Sequence, residues 1–232
     1  DLDIVELQLD PKSDWQLPAS ELEKLKDPSI KLLCLVNPSN PPSTKLSTET
    51  LLNLKKLVDE DRPDLMIITD DVYGTFGDNF VSCFGIVPKN TLLVYSFSKY
   101  FGATGWRLGT ISISHDSIFD ELLKTADDEV NNRYTIITPT PKTLSFIDRI
   151  VADSRAVGLN HTAGISTPQQ LQMALFALNS LVDLNSDYKN SCKELIRNRC
   201  KLLYSSLGAH FEDDENVVSY YTLINVADIA LE

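Results

Sequence analysis

Four cysteines in 232 residues are few, and no two of them stand as Cys-x-x-Cys. That excludes the thiol spacing of zinc ribbons and of dithiol redox motifs. Cys34 lies inside the apolar run Leu32-Leu33-Cys34-Leu35-Val36, where a thiol behaves as a small hydrophobe, so reduced, structural cysteines are expected. The three histidines, His115, His161 and His210, stand far apart without ligand spacing, which argues against a metal site. Lys and Arg number 21 against 33 acidic residues, and a net charge of −12 with no basic cluster disfavours nucleic acid or an anionic membrane surface as partner. No apolar run approaches the length needed to cross a bilayer, and the opening Asp1-Leu2-Asp3 lacks the basic, apolar, small-residue order of an export signal. A cytoplasmic protein is the expectation, which makes the glycosylation-like Asn160-His161-Thr162 a chance match. Gly102, Gly105 and Gly109 do not spell a dinucleotide fingerprint, and no Gly-Lys-Ser/Thr loop occurs, so nucleotide binding is unsupported.

What the chain does have is 43% apolar residues, ample for a sizeable core, and an alternation of strand and helix patterns. Ser20 followed by Glu23 reads as a capping box opening a short helix over 21–26. Residues 31–36 form a continuous apolar run typical of a buried parallel strand, and Asn37-Pro38-Ser39-Asn40-Pro41-Pro42 is too rich in proline to extend it. Ser47 then caps a helix whose Leu51, Leu54, Leu57 and Val58 share one face. Residues 65–69 and 91–96 read as further strands, and 107–114 as a fourth in which Ile111 and Ile113 alternate. The pattern predicts an α/β fold with a mostly parallel sheet and helices on both faces. Beyond residue 115 helices are expected around 116–126 and 142–157. Another is opened by Thr167 with Pro168 at its first position, and carries Leu171, Ala174, Leu175, Leu178 and Val182 on one side. A long helix over 187–207 suits a connector between domains, and the β-like run 217–226 would start a second one. The chain begins without Met and ends inside an ordered-looking segment, so a fragment is expected.

Lys99 stands in Ser96-Phe97-Ser98-Lys99-Tyr100-Phe101-Gly102-Ala103-Thr104-Gly105-Trp106-Arg107, just past an apolar strand. An amine becomes a covalent catalyst when it meets a carbonyl compound and is held partly neutral, and Ser96 and Arg107 suggest that this compound also carries a phosphate. Pyridoxal 5'-phosphate meets both demands. Ser-x-x-Lys also serves β-lactamases and penicillin-binding proteins, but their Ser-Asp-Asn and Lys-Thr-Gly strings are absent. A solvated lysine after a strand is the ordinary alternative. In an open α/β sheet the ligand site lies beyond the carboxyl ends of the strands, and three successive strands here end in polar clusters: Asn37 and Asn40; Asp70, Asp71 and Tyr73; Ser96 and Lys99. Singly, an Asn-Pro turn, a capping Asp70 or a half-buried Tyr73 would be unremarkable.

Together these residues resemble the fold type I pyridoxal-phosphate enzymes of the aspartate aminotransferase superfamily. Its Asn-Pro-x-Asn-Pro loop is similar to Asn37-Pro38-Ser39-Asn40-Pro41, its Asp-x-x-Tyr to Asp70-Asp71-Val72-Tyr73, and its Ser-x-x-Lys with a later arginine to Ser96, Lys99 and Arg107. Pro42-Ser43 departs from the Thr-Gly of many relatives. The resemblance implies that residues 1–183 are part of a cofactor-binding large domain and 184–232 the connector helix and beginning of a small α/β domain. It implies Lys99 as catalytic residue and cofactor anchor, Tyr73 and Asn40 as donors to the cofactor's phenolate oxygen, and Ser96 and Arg107 at its phosphate. Asp70 is the candidate for keeping the ring nitrogen protonated, because a buried carboxylate beside it makes the charged pair preferable to either neutral partner. Within the superfamily, the wording of 62–74, 95–106 and 160–170 is similar to the aspartate 4-decarboxylase branch, whose members also transaminate aspartate. That branch implies L-aspartate as substrate, β-decarboxylation to L-alanine and CO2, and a homodimer or larger homo-oligomer. The branch is considerably longer than this chain, and its N-terminal phosphate loop and substrate-gripping small-domain arginine have no counterpart here. A plain amino acid aminotransferase, or a regulatory domain that keeps the cofactor without turnover, remain the alternatives.

Overall fold

The computed structural model of the chain describes residues 3–156 and 165–229. Their sheet has four strands in the order β1 (Leu32–Val36), β2 (Met66–Asp70), β3 (Thr91–Ser96) and β4 (Gly109–Ile113). β1, β2 and β3 run parallel and β4 antiparallel to β3. This is the expected α/β arrangement, with each strand within two residues of its predicted bounds. The register sets Val36 beside Asp70, Asp70 beside Val94 and Ser96 beside Gly109. Since side chains alternate along a strand, Asp70, Val94, Ser96 and Gly109 lie on one face at the carboxyl end of the parallel strands.

The helices in chain order are α1 (Ala19–Leu22), α2 (Thr48–Glu60), α3 (Cys83–Ile86), α4 (Phe119–Lys124), α5 (Asp128–Asn132), α6 (Phe146–Ala156), α7 (Thr167–Val182), α8 (Asp187–Ser206) and α9 (Val226–Ile229). Ser47 Oγ accepts the Thr50 N–H at 3.0 Å, the expected cap of α2. The buried Leu51, Leu54, Leu57 and Val58 of α2 pack with Leu33 and Ile67 of the sheet and with Leu22, Leu25 and Leu65. Each such side chain contributes about 1.5–3 kcal/mol by leaving water.

Arg62 ties this layer together. It is 3% exposed. Its Nη1 donates to the Leu25 and Asp27 carbonyls at 2.5 and 2.6 Å, its Nη2 to Ile30 O at 2.6 Å, and its Nε to Asp64 Oδ1 at 2.9 Å. The Arg62 hydrogen bond holds the Asp64 carboxyl below its ordinary 3.8. A lowered folded-state pKa means this contribution is present above the unfolded value and is lost as pH falls through the folded one. Arg62→Ala strands three carbonyls under the core and should cost about 3–5 kcal/mol, read as a lower urea midpoint with unchanged slope. A midpoint equal to wild type would contradict that role.

Several expectations are corrected. The first helix is not opened by a Ser20–Glu23 capping box: Pro18, extended at ψ 150, is its N-cap without a side-chain bond, so Ser20 falls inside the helix and its hydroxyl meets no terminal N–H. Cys34 is exposed. β1 is an edge strand with α2 on one face only, and on the other face Leu32, Val36 and Ile111 are 43%, 44% and 53% exposed. The helix layer expected there is not supplied by the described residues. α7 is capped by Ser166 and Gln169, one residue before the expected start, and its stripe at Leu171, Leu175, Leu178 and Val182 is exposed rather than buried. Its other side carries Met173 and Phe176 onto Phe97, Ala103 and Leu108. The run 217–226 forms no strand: a single bridge joins Val217 to Thr44, and Ser219 at φ 56 breaks the extended backbone that a ladder needs. The short α5 was not anticipated. Asn160-His161-Thr162, and with it part of the 160–170 wording, lies outside the described residues.

Candidate active site

The loop after β1 splits its two asparagines between different tasks. Asn37 is fully buried; its N–H donates to Asp70 O at 3.0 Å and its Oδ1 accepts the Leu46 N–H at 2.9 Å, so it fastens the end of β1 to that of β2. Asn40 is exposed and makes no side-chain hydrogen bond among the described residues. The loop between is closed by Ser39 N–H to Thr44 O and Ser43 N–H to Ser39 O, both 2.9 Å.

Alternation along β2 also separates the neighbouring carboxylates. Asp71 turns into the scaffold, where it is 5% exposed and accepts the Thr69 hydroxyl at 2.6 Å. Burial pushes its carboxyl up, against hydrogen bonds from Ser82 and Thr69. Asp70 caps the following turn with one oxygen, accepting Val72 N–H at 3.0 Å, and its other oxygen has no hydrogen bond among the described residues. The turn delivers Tyr73, which is 4% exposed and donates its hydroxyl to Tyr221 Oη at 3.1 Å.

β3 delivers the lysine through a tight turn. Ser96 Oγ accepts Ser98 N–H at 3.1 Å, Thr104 Oγ1 donates to Ser98 O at 2.9 Å, and Gly102 N–H donates to Lys99 O at 3.2 Å. Gly102 sits at φ 63, a left-handed conformation that glycine adopts without a Cβ clash. Lys99 is half-buried and in no ion pair among the described residues. Its Nζ lies 5.9 Å from the centre of the Tyr220 ring, which in turn lies 5.1 Å from that of Tyr73.

Beside this turn an open concavity of about 630 Å³ is lined by Ser96, Ser98, Arg107 and Gly109 among others. A Cβ at Gly109 would meet Tyr95 O at 3.0 Å, so glycine lets β4 approach β3 here. Arg107 is exposed at φ 54, with Nη1 donating to Thr104 O at 3.0 Å. Two hydroxyls and a guanidinium with no carboxylate among the lining residues make a donor set for an anion, which fits a phosphate group. Thus Ser96 and Arg107 are gathered in one concavity, Asp70 shares their sheet face, and Lys99 and Tyr73 meet across Tyr220. Asn40 lies exposed in the turn after β1. Ser98, Tyr220 and Tyr221 were not foreseen. The second serine of Ser-Phe-Ser-Lys was a readable signal, whereas the tyrosine doublet was absorbed into an apparent strand. Among the described residues no group of His, Cys, Asp and Glu could hold a metal ion, and no helix is long and apolar enough to cross a membrane.

The family model described as aminotransferase class I and II matches residues 1–226. The bifunctional aspartate aminotransferase and L-aspartate beta-decarboxylase of Pseudomonas sp is 52% identical over 233 residues, covering 99% of this chain and 44% of that protein. The valine–pyruvate aminotransferase of Mycobacterium tuberculosis is 27% identical over 157 residues, 66% of this chain and 38% of that protein. Among solved structures, a double mutant of Thermus thermophilus aspartate aminotransferase aligns with a TM-score of 0.61 at 22% identity, covering 88% of this chain and 45% of the other. The alanine aminotransferase of Pyrococcus furiosus aligns at 0.62 and 22% identity, with 89% and 44% covered. At that identity the structures speak to the fold alone. The chain spans less than half the length of each of these relatives.

Proposed function

We propose, for a chain that belongs to the class I and II aminotransferase family, that it forms the cofactor-holding part of an enzyme that converts L-aspartate to L-alanine and CO2 and also transaminates aspartate. Members of this family depend on pyridoxal 5'-phosphate, which when bound supplies an electron sink that no side chain offers. In this reading Ser96 and Arg107, joined by Ser98, would hold the phosphate, the guanidinium through a charge-assisted bond of about 1.5–3 kcal/mol. Lys99 would carry the cofactor on its amine and, once released by the substrate amine, take the proton from the substrate Cα and return it as base and then acid. Asp70, with one oxygen left by its turn, would keep a proton on the ring nitrogen. Tyr73 and Asn40 would donate to the ring's phenolate oxygen. A cytoplasmic homo-oligomer completes the proposal.

The observation that carries the choice of substrate is the likeness, over nearly the whole chain, to the bifunctional decarboxylase. The site residues themselves serve decarboxylation and transamination alike. The test is product analysis on the full-length protein given L-aspartate and cofactor without any keto acid. Continuing release of alanine and CO2 is the expected result, because transamination alone stops once the cofactor has taken the amino group. A single stoichiometric pulse of oxaloacetate would instead assign a plain aminotransferase. Cofactor retained with no amino acid consumed would assign the regulatory domain.

A further inference from the structure

The segment 216–221 packs on the candidate site. Asn216 O accepts Lys45 N–H at 2.9 Å, Val218 N–H donates to Ser43 O at 2.9 Å, and Tyr221 N–H donates to Ser43 Oγ at 2.7 Å. These bonds pin the segment to the loop that carries Asn40, while Val218, Tyr220 and Tyr221 join Val72, Tyr73, Phe76 and Tyr100 in one cluster. The Tyr221 ring meets Tyr73 edge-on at 5.4 Å and 77°, and Tyr220 fills the space between Tyr73 and Lys99. We propose that Tyr221 is a positioning residue of this site, acting through Tyr73: its hydroxyl fixes where the Tyr73 phenol points and accepts its hydrogen bond when nothing else does.

The argument is one of proton counting. A phenol has a single O–H, and that of Tyr73 is directed at Tyr221 Oη. For Tyr73 to donate to a cofactor oxygen its proton must turn away, and Tyr221 can then reverse the bond and donate back to Tyr73. The phenol oxygen of Tyr73 stays hydrogen-bonded in both settings, and its ring need not move. A phenylalanine at 221 would leave Tyr73 without a partner in one setting and unanchored in the other. Burial, and next the bond to Tyr221, already push the Tyr73 phenol well above its ordinary 10.0, so it remains a neutral donor across the working range. The titratable neighbours of Tyr73 are Tyr221, Tyr220 and Asp70 on its surrounding elements, with Lys99 across the Tyr220 ring.

This proposal rests on the reading of Tyr73 as a cofactor residue, and the experiment separates the two. In the full-length protein, Tyr221→Phe keeps the ring and removes only the hydroxyl. Cofactor affinity is titrated by fluorescence, and the absorption of the cofactor-loaded protein is followed against pH. Tyr221→Phe should weaken cofactor binding about 3- to 10-fold, one hydrogen bond's worth, and shift the pH midpoint of the absorption change in the same direction as Tyr73→Phe. The double variant should add nothing to Tyr73→Phe, since Tyr221 acts through it. If Tyr73→Phe moves both readouts and Tyr221→Phe moves neither, the positioning role is overturned while the site reading stands. Additive effects in the double variant overturn it as well, and no effect from either variant overturns both readings. Should Tyr221→Phe fold poorly, Tyr221→His restores a donor and acceptor, and the same comparison decides.

Discussion

Lys99→Ala in the full-length protein should abolish the proposed release of alanine and CO2 and the transamination of aspartate together, each by about 10⁴-fold or more. Both outcomes start with removal of the same substrate proton. The Lys99 Nζ lies 5.9 Å from the centre of the Tyr220 ring, whose aromatic face cannot take over as a base. Ser96, Ser98 and Arg107 are untouched by the change, so the variant should still take up the cofactor through its phosphate. Borohydride reduction followed by peptide mapping then labels Lys99 in the wild type and leaves the variant unlabelled. A variant that kept either activity near the wild-type rate, or a label on another lysine, would remove Lys99 from its role.

Asp70→Ala should lower turnover by about 10²- to 10³-fold, the loss typical of removing one preorganised electrostatic partner, while cofactor affinity changes little. The proposed phosphate donors and Lys99 stand on a different strand, β3, and the turn after it, so in this reading capture would not depend on β2. Asp70 also accepts Val72 N–H, and losing that turn cap should cost about 1 kcal/mol, far too little to unfold the site. The measurement is kcat beside the cofactor dissociation constant. A folded variant that binds no cofactor, or one with normal kcat, would show that Asp70 does something else, and the Asp71 carboxyl, committed to Thr69 on the other face, offers no substitute.

The placement of the candidate-site residues was legible where it depends on local chain geometry. Ser96, Lys99 and Arg107 lie within one strand–turn–strand unit, and Ser96 and Arg107 are brought to one concavity by a few residues of chain. Asp70 and Tyr73 were readable for the same reason, a carboxylate at the last position of a strand and a tyrosine one turn later. The choice between Asp70 and Asp71 is also local, because a strand's side chains alternate by geometry alone. Sequence pattern failed where a segment's fate depends on a partner. The run 217–226 has the composition of a strand, but a strand needs a neighbour, and a positive φ at Ser219 turns it onto Tyr73 instead. Cys34 was read as buried because an apolar run says nothing about how many faces are covered.

The sequence by itself therefore determined the strands, the α2 face and the order of the polar strand ends, all set by side-chain period, capping hydroxyls and proline-rich breaks over fewer than about fifteen neighbouring residues. Only the tertiary structure decided that Asn37 is a fastener while Asn40 faces solvent, that Arg62 clamps carbonyls some thirty residues away, and that Tyr221 reaches Tyr73 across a separation of 148 positions. Such contacts repay the entropy of closing long loops only when the whole sheet and its layer are in place, so no local pattern in the chain encodes them.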